Sequence, residues 1–125
     1  MRRPDGRLVW FNAASVGEVL SIFQLIKLLR EKDKKLHFLI TSTTVTSARI
    51  IRNIIPKNCR HQFSPIDTFT ATSLFLDHWK PDLAIFVESE FWPRVLLEAK
   101  AKKIPLGLIN ARMEKRSFEK WQRVN

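Results

Sequence analysis

The chain has 125 residues and carries 22 lysines and arginines against 12 aspartates and glutamates, a formal charge of +10. Its single cysteine, Cys59, excludes an internal disulfide framework and favours a reducing, cytosolic compartment. No apolar run approaches the ~20 residues that a membrane-spanning helix needs, and the start of the chain lacks the apolar stretch of a signal peptide. The charge favours anionic partners, namely phosphorylated ligands, phospholipid surfaces or nucleic acid.

The first predicted elements are a buried strand and an amphipathic helix. The apolar run 8–11 ends in a polar loop of small residues, and from Val16 the apolar residues recur at helical spacing. The same arrangement follows at once, with a strand at 36–40 and a helix from Val45 that Pro56 terminates. The chain therefore begins with two strand–helix units.

Two more units complete the pattern. A strand is predicted at 60–63, followed by a helix over 68–78 with Asp67 as its N-cap. The run 83–87 is typical of a strand buried on both faces, and the helix after it tolerates Pro93 in its first turn.

A fifth strand, 106–109, ends a series that alternates strands with helices. Such alternation indicates βαβ crossovers, which require parallel strands with helices on both faces of the sheet. The predicted fold is therefore α/β, a Rossmann-like open parallel sheet of five strands in the order 3-2-1-4-5. We expect residues 1–125 to form a single domain, with a further helix over 112–125.

The loops that follow the five strands are richer in hydroxyl, amide and charged groups than the strands themselves. Because parallel strands all point the same way, these loops meet at one edge of the sheet. They are residues 12–18, 41–44, 64–67, 88–90 and 110–112. The helix-to-strand connections at the opposite edge are rich in lysine and proline, which suits simple solvation. We expect function at the first edge.

The charged residues of these loops each allow two interpretations. Glu18 lies in the first turn of a helix, where a carboxylate commonly just complements the helix dipole. Glu88 and Glu90 flank Ser89 at another helix start, where carboxylates commonly serve only to cap the helix or to solvate the surface. Arg112 has the chemistry to bind a phosphate, although most arginines merely solvate a surface.

No cofactor or metal site is predicted. The three histidines, His37, His61 and His78, lie singly in different elements without the spacing of metal ligands. Cys59 has no histidine and acid arranged around it for nucleophilic catalysis. Gly17 stands alone, without the further glycines of a phosphate-binding loop.

Three motifs, in this order and at these intervals, resemble the N-terminal domain of Kdo (3-deoxy-D-manno-octulosonic acid) transferases. They are Ala-Ser-Val-Gly-Glu at 14–18, Glu-Ser-Glu-Phe-Trp-Pro at 88–93 and Asn-Ala-Arg at 110–112. The likeness runs from about Leu8 to Trp121 and implies the N-terminal, acceptor-binding half of a GT-B glycosyltransferase. On this resemblance the C-terminal domain that binds CMP-Kdo is absent, and the isolated chain is inactive.

The resemblance also implies a reaction and a set of residues. The enzyme transfers Kdo with inversion from CMP-Kdo to a lipid A precursor in lipopolysaccharide biosynthesis, and Glu18 matches the family's proposed catalytic base. The substrate-binding residues that it implies are Ser15, Gly17, Glu88, Glu90 and Arg112. The first two would shape the loop before the base, the glutamates would line the interdomain cleft, and the arginine would meet a phosphate or the donor's carboxylate.

The sequence departs from the family's pattern at Asn12, where histidine is frequent, and at Arg94, where asparagine is usual. The expected partners are the lipid A precursor, CMP-Kdo through the absent domain, and an anionic membrane surface, with no nucleic acid. Without the membrane anchor that usually precedes this domain, the expected location is peripheral, on the cytoplasmic face of the bacterial inner membrane. The alternative is a noncatalytic basic module that binds anionic membrane or nucleic acid.

Overall fold

The computed structural model of the chain describes residues 2–13, 16–56, 58–65, 67–87 and 93–109. Within these ranges, strands and helices alternate along the chain as the apolar pattern predicts. The elements are β1 Leu8–Ala13, α1 Val16–Lys32, β2 His37–Ser42, α2 Val45–Ile54, β3 Cys59–Phe63, α3 Phe69–Trp79, β4 Leu83–Val87, α4 Pro93–Ala101 and β5 Leu106–Ile109.

The five strands form one parallel sheet in the order β3-β2-β1-β4-β5, which confirms the predicted fold class and strand order. The central strand, β1, pairs with β2 on one side and with β4 on the other. Asn12, near the carboxyl end of β1, lies opposite Thr41 of β2 and Phe86 of β4. The carboxyl ends of the three central strands are therefore level, and the loops after them begin at one edge.

Helices cover both faces of the sheet. Val9 and Phe11 of β1 pack on the face that carries α1 and α2, while Leu8 and Trp10 pack on the face that carries α3 and α4. The ring of Trp10 lies 4.6 Å from that of Phe75, measured between centroids. Because successive strand residues face opposite sides, a strand buried on both faces must be apolar at nearly every position. This explains why β1 reads as a continuous apolar run.

Helix termini follow ordinary capping chemistry, with one correction to the prediction. Thr44 caps α2 by accepting a hydrogen bond from the Ser47 backbone N–H at 3.1 Å. The N-cap of α3 is Thr68, not Asp67, because the Thr68 hydroxyl accepts from the backbone N–H of Ala71 at 3.2 Å. The predicted helix over 112–125 lies outside the described residues.

Candidate functional site

Of the six predicted site residues, Gly17 and Glu18 lie in the described part of the chain. The others, Ser15, Glu88, Glu90 and Arg112, lie outside it. Both described residues belong to the first turn of α1, directly after the carboxyl end of β1. The predicted meeting of Glu18 with Glu88 and Arg112 stays a prediction.

Glu18 is buried, with only 7 % of its surface exposed. A carboxylate that merely complements a helix dipole can do so while remaining solvated, whereas glutamate is rarely buried to this extent unless it is paired. Gly17 beside it is exposed, and a Cβ added to it would meet no described atom within 4 Å. The first turn of α1 thus places the buried carboxylate of Glu18 next to the exposed backbone of Gly17.

A buried polar network joins the ends of β1 and β2 to the turn after β3, on the face that carries α3 and α4. The indole Nε1–H of Trp10 donates to the Thr41 hydroxyl at 2.9 Å, and that hydroxyl donates to Asn12 Oδ1 at 2.7 Å. The Ser64 hydroxyl donates to the same oxygen at 2.6 Å. Trp10, Asn12 and Thr41 are completely buried. Asn12 Oδ1 is therefore the centre at which three chain segments meet.

The amide nitrogen of Asn12 is buried without a hydrogen-bond partner among the described residues. A buried polar group left unpaired costs about 1–3 kcal/mol, so such groups are uncommon in folded proteins. This one lies at the carboxyl end of the central strand, at the edge where the polar loops were predicted to converge.

A second polar pair lies at the same edge on the opposite face of the sheet. The Ser42 hydroxyl and His61 Nε2 are 2.8 Å apart, and both residues are buried. Burial lowers the pKa of His61, and the positive charge of Arg52 lowers it further. The imidazole is therefore neutral at pH 7, so it contributes a hydrogen bond rather than a charge.

Around this edge, three large apolar side chains of the described residues are exposed. Val45 begins α2, Phe63 ends β3 and Phe69 begins α3, with exposed fractions of 66 %, 47 % and 57 %. The guanidinium carbon of Arg52 lies 5.8 Å from the centroid of the Phe63 ring, and Arg49 on the same helix is also exposed. We call Val45, Phe63 and Phe69 the apolar rim. Exposed apolar and basic side chains thus lie side by side at this edge.

Other features of the described chain do not add to the site at this edge. A groove of about 650 Å³ between α1 and α2 is lined mainly by apolar and basic residues, but the lining runs to Lys34 and Pro56, toward the far ends of both helices. No described group of three His, Cys, Asp or Glu side chains could hold a metal ion. Burial raises the pKa of the Cys59 thiol to about 12 although Arg30 opposes this, so the thiol is protonated. Among the helices described, none is long and apolar enough to span a bilayer.

Sequence reasoning named the loops of this edge but missed the network within it. Asn12 and Thr41 were predicted to lie in loops, whereas both lie in strands. The available signal was positional, since each is the first polar residue after an apolar run in a predicted neighbouring strand. In a parallel sheet such residues come level, which brings their side chains within hydrogen-bonding reach.

Comparison with known proteins gives one consistent family. Residues 1–125 match the family described as 3-deoxy-D-manno-octulosonic-acid transferase (kdotransferase). The chain is 44% identical over 119 residues to the probable mitochondrial 3-deoxy-D-manno-octulosonic acid transferase of Arabidopsis thaliana, covering 95% of this chain and 27% of that protein. It is 46% identical over 122 residues to the 3-deoxy-D-manno-octulosonic acid transferase of Rickettsia bellii, and this alignment covers 97% of this chain and 29% of that protein. The chain thus spans less than a third of either relative.

Solved structures share the fold at low sequence identity. MnaA of S. aureus, in a co-structure with UDP, aligns with a TM-score of 0.57 at 18% identity, over 83% of this chain and 29% of that one. A ugt transferase from Siraitia grosvenorii in complex with UDP aligns with a TM-score of 0.56 at 14% identity, over 85% of this chain and 24% of that one. These alignments confirm the predicted likeness to part of a GT-B fold.

Proposed function

The chain belongs to the family of Kdo transferase N-terminal domains, and from that premise we propose that it forms the acceptor-binding part of an enzyme that transfers Kdo from CMP-Kdo to a lipid A precursor in lipopolysaccharide biosynthesis. The observation that carries the proposal is the buried carboxylate of Glu18, which lies in the family's motif at the carboxyl edge of the sheet.

The proposed step is a displacement with inversion. A hydroxyl oxygen of the acceptor's glucosamine forms a bond to the anomeric carbon of Kdo, and CMP leaves with the electron pair of the bond that breaks. Glu18 accepts the hydroxyl proton as the new bond forms, a contribution typically of ~10²–10⁴ in rate. Gly17, together with Ser15, Glu88, Glu90 and Arg112, would bind the substrates. The step uses no metal or other cofactor.

A lipid acceptor suits the apolar rim. Val45, Phe63 and Phe69 expose apolar surface at the edge where Glu18 lies, and acyl chains can cover such surface. Arg49 and Arg52 lie nearby on an exposed part of α2. Each basic residue near an anionic membrane contributes roughly 1 kcal/mol of attraction. We therefore place the protein peripherally on the cytoplasmic face of the bacterial inner membrane, with this edge toward the lipid.

Reconstitution tests the proposal. The chain would be joined to the CMP-Kdo-binding domain of a relative, and release of CMP would be measured with a lipid A precursor as acceptor. We expect Glu18→Gln to lower kcat by ~10²-fold or more, because the amide cannot accept the proton. Glu31→Gln, an exposed position on the same helix, is the matched control and should retain activity. Equal turnover by the two variants would remove Glu18 from the role of base.

The noncatalytic alternative predicts a different result. A basic binding module would show no transfer after joining, and would bind nucleic acid more tightly than lipid A precursor. That binding would weaken steeply as salt is raised, since it depends on displaced counterions. Such a result would replace the proposed function.

A further inference from the structure

The orientation of the Asn12 amide follows from the hydrogen bonds around it. The indole of Trp10 can only donate, so one lone pair of the Thr41 hydroxyl accepts its N–H at 2.9 Å. The single Thr41 proton then has Asn12 Oδ1 as its acceptor at 2.7 Å, because the Phe11 carbonyl, at 3.4 Å, is much farther away. The amide oxygen therefore faces the two hydroxyls, and the nitrogen is the atom left over.

The position of that nitrogen is significant in this topology. In the order β3-β2-β1-β4-β5, the chain crosses from one side of β1 to the other between β3 and β4. Open parallel sheets bind ligands in the crevice outside the carboxyl ends of the strands at such a crossover point. Asn12 is paired with Phe86 across the junction of β1 and β4. A completely buried, unpaired donor thus lies where the fold favours a ligand.

We propose that the side-chain amide of Asn12 is a ligand-binding donor, whose N–H groups bind an anionic oxygen at the junction of β1 and β4. Its oxygen is already used by Thr41 and Ser64, so the group presents donors only and selects an acceptor. Phosphate and carboxylate oxygens share that chemistry. If the proposed function holds, on which this choice of ligands rests, the oxygen comes either from a phosphate of the acceptor or from the carboxylate of Kdo.

The test is a titration of the ¹⁵N-labelled chain followed by NMR, with glucosamine 1-phosphate and free Kdo as separate probes. We expect one probe to shift the side-chain amide pair of Asn12 saturably, and the probe that does so identifies the source of the oxygen. The amide pair is assigned by its loss in Asn12→Asp, which keeps the shape and an oxygen for both hydroxyls but removes the donor.

The affinity of the variants gives the second readout. Asn12→Asp should weaken binding of the active probe on the order of tenfold, the effect of losing a hydrogen bond to a charged group. Asn53→Asp introduces the same negative charge at an exposed position of α2 and should weaken it by less than about twofold. Equal weakening by both variants, or no shift of the wild-type Asn12 amide with either probe, would overturn the proposal. The wild-type titration decides this even if Asn12→Asp does not fold.

The outcome is separable from that of the transfer assay, because it needs neither turnover nor the donor domain. A saturable shift without Kdo transfer would keep the anion site and overturn the proposed function. Kdo transfer that depends on Glu18, without a shift of the Asn12 amide, would keep the proposed function and overturn the anion site.

Discussion

Replacing Thr41 with valine tests whether the buried network stabilises the fold. The substitution keeps the shape of the side chain but removes the hydroxyl, which leaves the Trp10 indole N–H buried without an acceptor. An orphaned buried donor costs about 1–3 kcal/mol. Asn12 Oδ1 keeps its bond from Ser64 at 2.6 Å, and the added methyl group gains roughly 0.8 kcal/mol from burial. We therefore expect a net loss of about 0.2–2.2 kcal/mol in the free energy of unfolding, with a central value of ~1 kcal/mol.

The expected change in melting temperature follows from the size of the chain. An unfolding entropy of about 2.1 cal/mol/K per residue, over 125 residues, gives roughly 4 °C per kcal/mol. Thr41→Val should thus lower Tm by about 1–9 °C, with a central value of ~5 °C, in thermal unfolding followed by circular dichroism. Thr70→Val, at an exposed position of α3, is the control and should change stability by no more than about 0.5 kcal/mol. Equal Tm values for the two variants would refute the idea that the network contributes to stability.

Three further predictions concern single residues. Gly17→Ala should leave the fold intact, or stabilise it by up to about 1 kcal/mol, because alanine favours a helix. The same substitution should lower Kdo transfer by the joined enzyme if substrate occupies the space beside Gly17. Unfolding curves measure the first effect and CMP release the second, and normal transfer would contradict that use of the space. Burial, and then Arg52, lower the pKa of His61 in the folded chain. The unfolded chain therefore binds more protons, and the free energy of unfolding should fall as the pH drops below the ordinary histidine pKa of about 6.5. In urea titrations His61→Gln should remove that component, and an unchanged pH dependence would show that another group causes it. Cys59, with a thiol pKa of about 12, should react with a thiol reagent at pH 8 only after urea unfolding; rapid reaction of the native chain would argue against the burial that raises its pKa.

The apolar pattern of the chain determined the architecture. Strand runs and helical spacings are local features, and the crossovers between them permit only parallel pairing with helices on both faces. The same reasoning predicted the candidate functional edge before any contact was known, because parallel strands end together. Family motifs in three of those loops added the function class, and the matches over most of the chain confirmed the family.

Local signals were less informative at the element boundaries. Asp67 and Thr68 are both good capping residues, and only the path of the chain into α3 decided that Thr68 is the cap. Leu20 fits the helical period of the α1 core positions, yet it is half-exposed, while Ile22 and Leu25 are buried instead. Periodicity predicts that a helix has a buried face, but the packing of that face against the sheet selects its members.

The site itself needed tertiary structure. Asn12 is separated from Thr41 by 29 residues and from Ser64 by 52, so no local pattern could pair them. The burial of Glu18 and the exposure of Val45, Phe63 and Phe69 likewise depend on what packs beside them. The sequence alone predicted which chemical groups follow each strand toward the carboxyl edge, because strand direction is set by connection geometry. Only the packed fold decided which of those groups are buried, which are paired and which keep an unused donor, because burial and hydrogen bonding depend on neighbours distant along the chain.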